Sequence, residues 1–169
     1  LHLDDLKEHY HQVMFTTGSP FDRNLGVAGE DLLGSHSATE FVAWYNGHPD
    51  FADRDFDLSQ ENVVVVGIGN VAMDVARILC KTVDELKVQD IADHALAALS
   101  KSKVKNVYIL GRRGPAQAAS TPPEIKEMGE FAEADVNILA SEAVVDANSQ
   151  KLLDDSNDKN AIKNVETIT

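Results

Sequence analysis

Along the first third of the chain the alternation of apolar and polar positions is faint. Asp4 to Tyr10 is charged and tolerant of helix. Gln12-Val13-Met14-Phe15-Thr16-Thr17-Gly18 is a short apolar run closed by Thr-Gly, which predicts a strand ending in a turn. Ser19 to Asn24 carries chain breakers and reads as loop. Gly26 to Gly34 contains three glycines and no clear period, the pattern of an ordered loop. Thr39 to Tyr45 predicts a short helix with Ser37 or Thr39 as its N-cap. His48 to Ser59 mixes Pro49 with Asp50, Asp53, Asp55 and Asp57 and reads as a solvated connection.

From Val63 the pattern sharpens. Val63-Val64-Val65-Val66 is continuously β-branched, as in a strand covered on both faces of a parallel sheet. Gly67 to Gly69 follows at once, and then a helical period places Val71, Ala72, Val75, Ala76 and Leu79 on one face. A second helix is predicted from Asp90 to Ser100, and a strand over Val104 to Leu110 that ends at Gly111-Arg112-Arg113-Gly114. Pro122-Pro123-Glu124 opens another helix, since proline is tolerated in a first turn. Asp135 to Leu139 predicts a third strand, and beyond Asn148 the chain is polar. Strand, glycine turn, helix and strand together predict an α/β class: a Rossmann-like parallel sheet with flanking helices.

Composition narrows the chemistry. With 169 residues, 43% hydrophobic and 25% charged, the chain is long enough for one soluble domain. No run approaches the ~18 uninterrupted apolar residues of a membrane span. The start, Leu1-His2-Leu3-Asp4-Asp5, lacks Met and has neither part of a signal peptide, so the chain reads as a piece of a longer protein. A net charge of −13 argues against nucleic acid as a partner. Any anionic cofactor must therefore be met by local positive features.

Two such features are present. Gly67-x-Gly69-x-x-Ala72 follows a strand and opens a helix, the context in which backbone N–H groups and the helix dipole hold a pyrophosphate. Gly67 permits the tight turn, Gly69 lets the backbone approach the phosphates, and a small residue at Ala72 allows close helix packing. Asn70 and Val71 complete that helix start. Arg112-Arg113 stands where an NAD-binding unit carries an acidic residue for the ribose diol, and arginine there favours a 2′-phosphate. Two charge-assisted bonds of ~1.5–3 kcal/mol each would favour NADP over NAD by roughly two to four orders of magnitude before solvent screening. The two motifs lie about 45 residues apart. The usual βαβ unit takes ~30. Lys81 to Lys103 is therefore expected to be an inserted helical excursion.

Longer stretches carry a resemblance. Gly26 to Asp31, His36 to Pro49, Gly69 to Leu79, Asp90 to Leu96 and Leu110 to Ala119, continuing to Glu124, strongly resemble ferredoxin–NADP reductases of the adrenodoxin-reductase type. The likeness runs in one register from about His9 to Met128 and includes the helical insertion. It implies an NADP-binding domain inserted between two segments of an FAD domain, passing electrons between NADPH and a ferredoxin or adrenodoxin through the flavin. Residues 1–24 would then end the first FAD segment, and 25–169 would form the NADP domain, truncated at its C-terminus. By the same resemblance Asn70, Val71 and Ala72 contact the pyrophosphate and Arg112 and Arg113 the 2′-phosphate. Glu124 aligns with a glutamate near the nicotinamide, the catalytic candidate. Its plain alternative is a first-turn acid favoured by the helix dipole. Ser120 stands where the resemblance places an aromatic residue.

The flavin fingerprint does not precede Gln12, so the isolated chain is expected to bind no FAD and to turn over nothing. The acidic iron–sulfur partner is expected to dock on the rest of the parent. Two alternatives remain: the NADPH-oxidising subunit of glutamate synthase, which shares the fold but is disfavoured by Gly114-Pro115-Ala116-Gln117-Ala118-Ala119, and a non-catalytic NADP-binding module. The expected compartment is the cytoplasm, with the mitochondrial matrix as the alternative. No metal site is expected. Asp53, Asp55 and Asp57 start like a calcium loop, but Leu58 and Val64 occupy the positions that need Gly and Glu. Cys80 has no second cysteine to pair with and reads as a small apolar residue.

Overall fold

A computed structural model of the chain describes residues 2–16, 18 and 22–169. Two strands, β1 (Asn62–Val66) and β2 (Asn106–Leu110), pair in parallel with Val63 opposite Val107 and Val66 opposite Leu110. Between them run α3 (Asn70–Cys80), α4 (Val83–Lys87) and α5 (Asp93–Leu99). Before β1 come α1 (Leu3–His9), α2 (Ala38–Tyr45) and a 3-10 turn at Pro49–Phe51. After β2 come a 3-10 turn at Pro115–Gln117, α6 (Pro122–Glu127), α7 (Ala147–Ser156) and α8 (Lys159–Ile168). The predicted α/β class, strand, glycine turn and crossover are all present.

The central helix is buried on two sides, and this corrects the predicted stripe. Its buried residues are Ala72, Met73, Ala76 and Ile78, whereas Val71 is half exposed. Met73 and Ala76 pack with Ile68, Val107, Ile109 and Met128 on the sheet side. Ile78 packs with Phe41, Trp44, Leu86, Ala95 and Leu99 on the other, with Val75 and Leu79 against the same cluster. A helix clamped between a sheet and a helical layer buries more than one stripe. The insertion thus supplies Leu86, Ala95 and Leu99, half of the buried residues in that second cluster. It forms two helices: α4, closed by a Thr82–Glu85 capping box, and α5, which starts at Asp93 because Ala92 N–H donates to Tyr45 O (2.9 Å).

Helix α2 starts one residue earlier than predicted, with Ser37 as its cap. The His48–Ser59 connection is less solvated than its aspartates suggest, because Phe51, Phe56 and Leu58 pack against the core, with the Phe56 ring 5.1 Å from Trp44. Two predicted strands do not form among the described residues. Residues 12–16 have no regular structure, Met14 and Phe15 are exposed, and Thr17 lies outside the described residues. Asp135–Leu139 likewise joins no ladder, and Val136, Ile138 and Leu139 stay exposed. An apolar run becomes a strand only where a neighbour accepts its backbone hydrogen bonds.

Candidate functional site

Parallel pairing settles what the long spacing left open. Since Val66 faces Leu110, the residues that follow, Gly67 and Arg112 with its neighbour Gly111, emerge at the same end of the sheet. Gly67 N–H donates to Leu110 O (2.9 Å), adding one rung beyond β1. A Cβ on Gly111 would sit 3.4 Å from Ile68 Cγ2, so the two turns touch.

The glycines have different reasons. Gly67 has φ +130°, a conformation that L side chains rarely adopt, while a Cβ there would meet only Ala72 Cβ at 3.8 Å. Backbone conformation therefore requires glycine at 67. Gly69 is extended (φ −107°, ψ 175°), and a Cβ on it would meet nothing within 4 Å. Open space in front of Gly69 is what close approach of a ligand needs. No side chain caps α3, and its first turn carries no acidic residue. The N–H groups of Asn70, Val71 and Ala72 therefore lack partners within the helix's own ladder, at the positive end of the dipole.

A strap from Ala119 to Thr121 locks this turn. Ala119 N–H (3.1 Å) and the Ser120 hydroxyl (3.0 Å) both donate to Ile68 O, and Thr121 N–H donates to Asn70 Oδ1 (2.9 Å). Asn70 is thus a brace for the turn as well as part of the helix start. Behind the strap, buried Asn164 of α8 donates from Nδ2 to Ser120 O at 2.7 Å. Ser120, the position that departs from the expected aromatic, is itself buried and bonded to Ile68 O. Sequence reasoning missed Asn164: a lone Asn in a polar helix gives no signal, and its partner lies 44 residues away.

Arg112 and Arg113 are exposed and form no ion pair among the described residues. In a chain of net charge −13 that leaves both guanidinium groups available to an anion. Arg113 also lines a cleft of about 350 Å³ between the strap and α8, with Thr121, Asn160 and Asn164.

Glu124, in the first turn of α6, is ion-paired with Arg77 Nη2. Arg77 Nη1 also donates to Asp74 (2.9 Å), and its Nε lies 3.2 Å from Glu127 Oε2 without hydrogen-bond geometry. Burial works against the Arg77 charge, but the bond to Glu124 and the charges of Glu124, Glu127 and Asp74 outweigh it and hold the group above its usual value. Burial lifts the Asp74 carboxyl, with Arg77 opposing and Glu124 adding. Cys80 is half-buried and its thiol is pushed up by burial. Among the described residues no three His, Cys, Asp or Glu side chains gather as metal ligands. No described helix is long and apolar enough to cross a membrane.

No family model matches the chain. It is 50% identical over 129 residues to the mitochondrial NADPH:adrenodoxin oxidoreductase of Arabidopsis thaliana, covering 76% of this chain and 27% of that protein. Against a probable ferredoxin/ferredoxin–NADP reductase of Mycobacterium bovis it is 49% identical over 152 residues, 89% of this chain and 25% of that one. The structure of Mycobacterium tuberculosis FprA in complex with NADPH superposes with a TM-score of 0.85 at 40% identity, over 99% of this chain and 36% of FprA. This chain is homologous to one segment of the adrenodoxin-type ferredoxin–NADP reductases. It spans about a quarter of the length of the curated relatives named above. The superposition also covers the helical insertion and the two C-terminal helices, so the fold is the Rossmann-like one of those reductases.

Proposed function

We propose that the chain is the NADP(H)-binding part of an FAD-dependent oxidoreductase that passes electrons between NADPH and a ferredoxin or adrenodoxin. The observation that carries this is the meeting, at one end of the parallel pair, of an uncapped helix start and two arginines without ion-pair partners among the described residues. A pyrophosphate fits the former and a 2′-phosphate the latter. Gly67, Gly69, Asn70, Val71 and Ala72 would hold the pyrophosphate, and Arg112 and Arg113 the 2′-phosphate. Glu124 would lie at the nicotinamide end.

Bound in the parent, FAD supplies the change from a two-electron hydride to single-electron transfers. Residues 1–24 close the first flavin-domain segment and 25–169 belong to the NADP domain. The NADPH complex of FprA and the NADPH in the plant relative's name support the cofactor, and the relatives' names support the partner class. With a net charge of −13, this chain would repel an acidic ferredoxin, so the docking face belongs to the remainder of the parent. Compartment follows the parent: cytoplasm, or mitochondrial matrix as for the plant relative.

The test is anaerobic reduction of a ferredoxin by the purified full-length parent, supplied with NADPH or NADH. Yellow, NADPH-dependent turnover far above the NADH rate is expected. Equal rates with both nucleotides, or none with either, would refute the reading.

A further inference from the structure

Helix α6 has little of its own to hold it. It is six residues long, none of them buried, and Thr121 caps it with its backbone alone. Arg77 is its strongest polar tie to the rest of the fold. Arg77 projects from α3, seven residues beyond Asn70, which is ~10 Å along the helix axis from the glycine turn. Its side chain is 16% exposed, and its fork meets Asp74 on its own helix and Glu124 and Glu127 on α6. Helix α3 is packed on both sides by the core, so the guanidinium is mounted on a helix held from two faces. Asp74, one turn earlier, takes Nη1 and so fixes the plane of the fork. A planar fork can orient a carboxylate in a way a point charge cannot.

We propose that Arg77 is a positioning residue that fixes the Glu124 carboxylate relative to the glycine turn, so that α3 carries both the pyrophosphate contacts and the orientation of the group at the nicotinamide. This rests on the function proposed above. The Arg77 fork is taken up by Asp74, Glu124 and Glu127 and stands ~10 Å along α3 from the glycine turn, so its loss misplaces Glu124 and leaves that turn in place. The chemical step slows while affinity for the nucleotide changes little.

The experiment is a double-mutant cycle in the full-length parent, with NADPH oxidation read by ferricyanide reduction and thermal unfolding recorded for each protein. Arg77→Gln is expected to lower kcat by about 10- to 100-fold, the scale of a ~1 Å misplacement, with KM for NADPH changed by less than about threefold. Glu124→Gln should lower kcat similarly, and the double variant no further, because Arg77 acts through Glu124. Arg77→Lys keeps the charge without the fork; it should fold and recover part of the loss, which keeps the test decisive if Arg77→Gln unfolds. An unchanged kcat in folded Arg77→Gln or Arg77→Lys, or losses that simply multiply with Glu124→Gln, would overturn the inference. A parent that oxidises no NADPH at all overturns the function itself, a result distinguishable from either of these.

Discussion

Asn164 is the residue on which the rigidity of the glycine turn should depend, although its hydrogen bonds go to the strap and not to the turn itself. Its side chain is 1% exposed, with Nδ2 on Ser120 O at 2.7 Å and a longer contact to Ala118 O at 3.4 Å. Replacing Asn164 with Ala deletes a buried hydrogen bond, leaves the Ser120 carbonyl without that donor, and opens a small cavity. An orphaned buried acceptor costs ~1–3 kcal/mol. One offset is visible: Asn164 Oδ1 is buried without a partner, and its removal relieves that cost. The net loss should be about 1–2 kcal/mol, or roughly 2–8 °C in Tm for a chain of this size. Denaturant unfolding of the chain measures it directly. Asn160→Ala is the control, since Asn160 lines the same cleft but is exposed, and it should stay within ~0.5 kcal/mol. Equal, small effects for the two variants would refute the claim that α8 clamps the strap.

Three further outcomes follow from individual contacts. Gly67→Ala forces an L residue to φ +130° and should cost ~1–3 kcal/mol, whereas Gly69→Ala should leave stability within ~0.5 kcal/mol yet weaken NADP⁺ binding measured by calorimetry. Trp44→Ala removes the 3%-exposed centre of the aromatic cluster and should cost ~3–5 kcal/mol by chemical unfolding. Burial opposes the Asp22 charge, but hydrogen bonds from the Ser37 and Thr39 hydroxyls and the Thr39 N–H outweigh it and hold the carboxyl below its usual value. Its contribution is therefore complete above the usual aspartate range and is lost as pH falls through the lower folded value. The Thr39 amide resonance, followed by NMR in an acid titration, should move in that window and stay still in Asp22→Asn.

Elements whose causes are local were legible in the residues. Four valines followed by Gly67 announce a strand and turn in the local sequence, although the strand forms only by pairing with β2, and Ser37 marks its own helix start. Arg112 and Arg113 were legible as an exposed pair of charges at a strand end. Gln12–Gly18 and Asp135–Leu139 were misread because pairing depends on a partner, which an apolar run does not specify. Met14, Phe15, Val136, Ile138 and Leu139 stay exposed, as do Val64, Val66, Tyr108 and Leu110 along one face of the sheet. The contacts that assemble the site join residues far apart: Arg77 to Glu124 across 47 positions, Ser120 to Ile68 across 52. Such pairs appear only once the parallel register has brought the turns together. The second buried side of α3, with Met73 and Ile78, has the same origin, since a second packing layer cannot be inferred from the helix alone.

Nucleotide selectivity tests the central claim most directly. Calorimetric titration of this chain with NADP⁺ and with NAD⁺ at moderate salt should show NADP⁺ bound at least ~50-fold more tightly, within the range two arginine–phosphate bonds allow after screening. Arg112→Ala or Arg113→Ala should erase most of that difference while leaving NAD⁺ affinity nearly unchanged. Equal binding of the two nucleotides by the unsubstituted chain would contradict the assignment of these arginines, and with it the NADP-binding role proposed for the chain.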